Sequence, residues 1–278
     1  MPFGLSLGLT LGGAIQGGGS PSPPPPSPAA LTLPSGQTNY GGLINSVGWS
    51  GAAIRVQRAD AVEMDIGYDG NQILNTATLM AFAGSSTVYV TKIYNHVGSI
   101  DWVQSTQSLM PYIVKSGVLV TTASGFPTIQ GAMEGRYLAG PGMFTPMAGQ
   151  DFSITVVGQN NVQQLTPISN MFSPMVGIST SAGIATNSFN MRFGVRSSAT
   201  GRNSSVELTT TTGSNEIAGN IVPLPKSTTC IMTTNCQNAA LTGGPGAGST
   251  IYVNRSPAST VNNASHSPAN LTSATDIR

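Results

Sequence analysis

Large apolar residues at Phe3, Leu5, Leu7, Leu9 and Leu11 alternate with small or weakly polar ones, a period of two that predicts a strand with one apolar face. An isolated strand leaves its backbone and that face without a partner. These five residues are therefore candidate anchor positions, placed to add a strand to a sheet edge or groove of another protein. The same segment could instead pair as an extra edge strand of its own sheet, or stay unpaired. Gly12 to Ser20 follows as a flexible stretch, and residues 21–28 (PSPPPPSP) as semi-rigid polyproline II reaching about 25 Å at ~3.1 Å per residue. The predicted layout is an anchor peptide over 1–16, a Gly/Pro-rich linker over 17–38 and a β-sandwich domain over 39–278.

Within the domain the period of two returns. Ala53 to Arg58 and Glu63 to Tyr68 alternate as strands, with 59–62 as the hairpin turn between them. Residues 75–83 (NTATLMAFA) predict a short helix capped by Asn75 or Thr76 and ended by Gly84. Residues 87–94 (TVYVTKIY) predict a buried strand, with further strands at 111–115, 127–132, 151–159, 188–197, 205–211, 228–234 and 249–254. Gly, Pro and Asn punctuate these segments, and no repeat of fixed period occurs. The pattern predicts an all-β chain: a two-sheet jelly-roll sandwich with one short helix, preceded by an extended arm.

Composition narrows the function classes. Of 278 residues only 8% are charged, and 11 Lys and Arg stand against 10 Asp and Glu. No basic field exists to draw in nucleic acid or an anionic membrane, so neither is expected as a partner. Polarity comes instead from Ser, Thr, Asn and 34 glycines, which suits short strands and many turns. No Lys or Arg precedes Arg55, which argues against a signal peptide, and 3–11 is too short and Gly-rich to cross a bilayer as a helix. Cys230 and Cys236 could bridge only if the chain turns between them, and free thiols are the expectation. No metal-ligand spacing and no cofactor motif is present.

Other constellations point away from catalysis. His96 and His266 lack a Gly-x-Ser-x-Gly nucleophile elbow, and residues 242–248 (TGGPGAG) lack the Lys-Ser/Thr of a phosphate loop. Asp60, Glu63, Asp65 and Asp69 cluster in and after one hairpin, where a solvated turn is the plain reading and a weak cation site the sharper one; Asp69-Gly70-Asn71 lacks the remaining ligands of a calcium loop.

Gly51 to Arg58, then Met64-Asp65-Ile66-Gly67-Tyr68-Asp69-Gly70, the helix at 75–83, Ile93-Tyr94-Asn95 and Phe126-Pro127-Thr128-Ile129 follow one another as in the arabinofuranosidase-B-type catalytic domain, which this stretch resembles. Relatives of that domain occur in bacteriophage virion proteins with concanavalin- or laminin-G-like sandwiches. The family's acidic turn stands here as Tyr94 to Asp101, with Asn95 in place of its Asp. The nucleophilic Glu that follows Met on a central strand in the enzymes is matched by Arg192 in residues 189–193 (FNMRF). Glycoside hydrolysis needs two carboxyl groups about 5–9 Å apart, so the resemblance implies a fold without its catalytic pair. Gly248 to Arg255 resembles the Tyr-Val-Asn-Gly strand of laminin-G-like domains, after which more strands are expected than residues 256–278 supply.

The resemblance and the arm together imply a bacteriophage structural or adhesion protein, such as a tail, fibre or decoration component. It would be present in many copies, located in the virion after assembly in the host cytoplasm, and bound to other virion proteins through residues 1–16. Tyr94, Asn95, His96, Asp101 and Trp102 are the candidate glycan-binding residues, for a cell-surface glycan, because aromatic rings beside Asn or Asp suit sugar faces. Core packing is the alternative for Trp102, and a turn the alternative for His96. A glycoside hydrolase and a purely structural module without sugar binding are the competing functions.

Overall fold

The computed structural model describes residues 3–6, 39–131 and 136–143, and then the strand segments between 152 and 277; side chains are described over 39–131, 136–143, 153–159 and 229–233. Leu7, Leu9 and Leu11 of the anchor and the linker at 17–38 lie outside the described residues.

The elements run β1 (Phe3–Ser6), β2 (Asn39–Tyr40), β3 (Ile54–Arg58), β4 (Glu63–Ile66), α1 (Thr76–Ala83), β5 (Val88–Ile93), β6 (Trp102–Val103), a single 3-10 turn at Gln107–Leu109, β7 (Tyr112–Lys115) and β8 (Val118–Leu119). Then follow β9 (Phe152–Gln159), β10 (Asn170–Ser179), β11 (Ser188–Ser198), β12 (Gly201–Thr212), β13 (Asn215–Pro223), β14 (Thr229–Cys236), β15 (Thr250–Val253), β16 (Ser256–Thr260) and β17 (Asp276–Ile277). Among the described residues the protein is mostly β with one short helix. Their strands form three sheets where the sequence pattern predicts two: β16-β15-β14-β9-β1-β2, β13-β12-β11-β10-β17, and β4-β3-β5-β7-β8 with β6 pairing to β5.

The third sheet packs on a buried apolar cluster. On β3 the buried Ile54 and Val56 alternate with the outward Arg55 and Gln57, as a half-buried strand requires. They meet Ile66, Val88, Val90 and Ile113 from the sheet, and Leu79 and Ala83 one helical turn apart on α1. Burying a side chain of this size contributes roughly 1.5–3 kcal/mol. Asn75 caps α1: its Oδ1 accepts from Thr78 N at 3.0 Å, and Gly84 ends the helix at φ 55°. The hairpin between β3 and β4 closes with Arg58 N donating to Val62 O at 2.9 Å. Between β7 and β8, Ser116 and Gly117 both take positive φ (50° and 76°), the geometry of a two-residue type I′ turn.

Of the strand predicted at 127–132, residues 127–131 are not in a strand, and 132 lies outside the described residues. Pro127 and Gln130 make only isolated bridges to Thr121 and Tyr112, because proline has no N–H to continue a ladder. Conversely, β10 runs through Pro174 by means of a register shift between Pro174 and Val176. Cys230 and Cys236 sit six residues apart on the single strand β14, about 20 Å at ~3.3 Å per residue, far beyond disulfide reach. Cys230 is buried and free, and burial pushes its thiol pKa up to about 12.

Among the described strand pairs all are antiparallel except the two made by β1. It lies between β9 and β2 and runs parallel to both, Leu5 standing opposite Ile154 on one side and Asn39 on the other. The backbone of residues 3–6 thus has partners within its own chain.

Candidate functional site

The segment after β5 brings the five sequence candidates into one turn and then divides them between surface and interior. Tyr94 and Asp101 stay at the surface. Asn95, His96 and Trp102 are buried, at 3%, 9% and 4% exposure.

Asn95 organises the turn. Its Oδ1 accepts from Tyr40 N at 3.1 Å, Val97 N at 3.1 Å and Gly98 N at 2.9 Å. Its Nδ2 donates to Asn39 Oδ1 at 2.7 Å and Ile100 O at 3.0 Å. Both amide hydrogens are used and the oxygen is saturated, so the side chain has nothing left to offer a sugar hydroxyl. An aspartate here could not donate to Ile100 O, which gives the Asn its chemical reason. The backbone N of Asn95 donates in turn to Asp101 Oδ1 at 2.9 Å, closing the turn across its mouth.

His96 lies deeper. Its ring stacks on Trp49 (centroids 5.1 Å apart, 7° between planes), meets Tyr68 edge-on at 5.8 Å and tilts against Tyr40 at 5.4 Å. The Tyr68 hydroxyl donates to Gly42 O at 2.8 Å, so its contact with His96 Nε2 at 3.1 Å uses the imidazole N–H as donor. That assigns the neutral Nε2–H tautomer from the hydrogen-bond network. Nδ1 is then a bare acceptor, buried and without a partner. Burial drives the His96 pKa down to about 4, against a smaller opposing pull from Asp101. Trp102 is enclosed beside Gly41, where a Cβ would come within 2.9 Å of its ring, and has no open face for stacking on a ligand.

Tyr94 belongs to a different surface, the outward face of β4-β3-β5. Arg55 grips Asp65 with two bonds (Nε–Oδ1 2.7 Å, Nη2–Oδ2 2.8 Å), and Tyr94 donates its hydroxyl to Asp65 Oδ1 at 2.8 Å. Lys92 covers the Tyr94 ring at 5.0 Å and pairs with Asp101 Oδ2 at 3.1 Å. The Arg55 hydrogen bond holds the Asp65 carboxyl below its usual range, while partial burial and then the Asp65 bond push the Tyr94 phenol up to about 12. At neutral pH this is a fixed ladder of alternating charge around one accessible aromatic ring.

The remaining carboxylates of the hairpin are similarly engaged. Asp60 pairs with Arg58 at 2.6 Å, Glu63 accepts from Gln57 at 3.2 Å, and Asp69 Oδ1 caps its own turn through Asn71 N and Ile73 N. Farther on, backbone register sets Glu207 of β12 directly across from Arg192 of β11. Glu134, Asp151 and His266 lie outside the described residues.

No protein-family model and no curated sequence matches the chain. Among solved structures it is similar to a GH54 α-L-arabinofuranosidase soaked with a cyclic sulfate inhibitor, with a TM-score of 0.42 and 12% identity over 82% of this chain and 51% of that one. A glutamate-to-glutamine mutant of a GH54 α-L-arabinofuranosidase, soaked with 4-nitrophenyl α-L-arabinofuranoside, gives 0.36 and 13% over 82% and 51%. An arabinofuranosidase complexed with arabinofuranosyl-α-1,2-xylobiose gives 0.33 and 13% over 80% and 50%. The chain spans about half the length of these structures.

The sequence pattern did not single out Trp49, Tyr40 or Asn39, and it placed Tyr68 only in a strand and in the resemblance motif, although all four build the surroundings of Asn95 and His96. One signal was present: Gly51, two residues beyond Trp49, is where a Cβ would come within 2.7 Å of the indole. Asn45 fixes the same loop, accepting from Trp49 N at 2.9 Å and donating to Trp49 O and Gln72 Oε1.

Proposed function

We propose that this chain is a structural or adhesion component of a bacteriophage particle, with a jelly-roll sandwich of the carbohydrate-binding type joined to the particle by its N-terminal arm. The observation that carries the non-catalytic part is the use of the carboxylates at Asp60, Asp65, Asp69 and Asp101. Each is tied to a cation or a backbone N–H, whereas glycoside hydrolysis needs a pair of carboxyl groups facing one another across the scissile bond. The virion assignment draws its support from the resemblance of residues 51–131 and from the arm and proline run before them.

The glycan-facing surface in this reading is the Arg55–Asp65–Tyr94–Lys92–Asp101 ladder. It combines a partly exposed ring with fixed donors and acceptors, whereas Asn95, His96 and Trp102 serve the turn beneath it. A glycan array probed with the full chain tests this. Binding that disappears in Tyr94→Ala, with an unchanged melting temperature, is the expected result; binding indifferent to Tyr94 and Asp65 removes the proposed surface. Release of nitrophenol from an aryl arabinofuranoside by the purified chain would establish a hydrolase instead.

A further inference from the structure

Among the described strands, β1 alone pairs in parallel. It fills a place between β9 and β2, parallel to both, with Phe3 to Ser6 paired to Phe152 to Thr155 and Leu5 and Ser6 paired to Asn39 and Tyr40. Residues 7–38, including the proline run, are all that join it to β2.

Both walls of this place are held by bonds that do not involve β1. On one side β9 pairs antiparallel with β14 along its whole length, from Gln159 opposite Thr229 to Phe152 opposite Cys236, and Ile154 and Val156 are buried. On the other side β2 is fastened to the Asn95 turn. Tyr40 N reaches Asn95 Oδ1, His96 N reaches Tyr40 O at 2.7 Å, and Asn95 Nδ2 reaches Asn39 Oδ1. Removing β1 would leave two preformed edges facing each other across two strand spacings, roughly 9–10 Å. On the β9 side the edge would present a row of N–H and C=O groups, the condition that recruits another strand, while β2, its Tyr40 N–H and C=O bonded to Asn95 and His96, fixes the opposite wall.

We propose that the slot between β9 and β2 accepts residues 3–6 from a second copy of this chain, so that N-terminal strands are exchanged between neighbours. The slot reads backbone and register, and these are the same whichever copy supplies the strand. A long connection makes closure within one chain cost little more than closure at half its length, but it gives the strand no strong preference for its own slot either. Tethering favours a strand's own slot only through an effective concentration, and a crowded multi-copy assembly competes on the same terms. Exchange of an identical element is then a low-cost route to association, and head-to-tail exchange would link copies in a ring or chain. This deepens the particle reading above by naming the arm's partner, and rests on it only for the crowding of copies.

The test uses the purified full chain with the connection trimmed by deleting residues 13–36. A parallel return to a neighbouring strand needs a crossover of a dozen or more residues, and fewer remain, so the strand can be accommodated only in another copy. The expected result is a mass by light scattering at least twice that of the untrimmed chain. A folded monomer overturns the proposal. If the trimmed chain does not fold, two untrimmed variants decide. One carries Gly4→Cys and the other Ser153→Cys, at positions opposite each other in register. After refolding them together, a disulfide-linked pair of unlike chains supports exchange, and its absence in folded material overturns it. The same pairing attempted with Leu5→Pro added to the first chain should fail, because proline cannot donate to the ladder. Since no particle is involved, these outcomes stand apart from the particle assignment, which occupancy on the virion tests separately.

Discussion

The imidazole of His96 lies flat on the indole of Trp49, with ring centroids 5.1 Å apart and planes 7° from parallel. Two residues 47 positions apart thereby pin the loop before β3 to the turn after β5. The stack also takes His96 out of water and leaves Nδ1 without an acceptor for a second proton.

That burial fixes the sign of a pH effect. In the unfolded chain His96 titrates near the ordinary histidine value, about 6.5, and in the folded protein at about 4. Between those values the unfolded state binds more protons, so stability rises with pH from about 4 to about 6.5 and is level above. The expected gain is about 1–2 kcal/mol once solvent screening is discounted. Urea denaturation at pH 4.5 and 7.5 checks it, with His96→Gln removing the difference; an equal pH dependence in that variant would assign it to other groups.

The indole imposes a second condition, at Gly51. Gly51→Ala should lose about 1–3 kcal/mol, because the new methyl would lie within 2.7 Å of the Trp49 ring. Trp49→Ala alone should lose about 2–4 kcal/mol, somewhat under a fully buried Trp. In the double variant the Gly51 cost should vanish, giving a coupling energy of at least ~1 kcal/mol in a denaturation cycle. Additive losses would mean the two do not meet.

Asn95→Asp should destabilise the protein by about 2–4 kcal/mol at pH 7. Two donated bonds are lost and a carboxylate faces Ile100 O at the distance of the former 3.0 Å bond. The loss should shrink toward pH 4 as the carboxyl regains a proton, which distinguishes it from Asn95→Ala, whose cost should not change in the same way.

Cys230 should resist alkylation. Its thiol is enclosed and its pKa lies near 12, so almost no thiolate exists at pH 8. Iodoacetamide labelling followed by peptide mapping should find Cys230 modified only at the rate of global unfolding. Rapid labelling of folded protein would contradict the burial.

What the sequence discloses is mainly local. Asn75 and Gly84 bracket the helix because capping needs only four neighbouring residues, and the alternation at 53–58 and 87–94 records which face meets the core. Two-residue strands such as β6 and β8 are too short for any period, though the Ser116-Gly117 turn marks the latter. β10 hides because Pro174 reads as a strand breaker, and a bulge accommodates it. The candidate turn was located from its residues, but its division into surface and interior was not legible. Whether Asn95 meets a ligand or Tyr40 depends on contacts 55 residues away. The placement of β1 is more distant still, since its partner on one side begins at Phe152.

That distance also orders events during synthesis. β1 leaves the ribosome before β9 exists, and with chain growth of roughly 5–20 residues per second its partner follows on the order of 10–30 s later. Antiparallel β3, β4 and β5 can pair within that interval because their contacts are close in sequence. A strand made so long before its partner is therefore seated late, and until then its apolar face is presented to every other nascent copy on the same message.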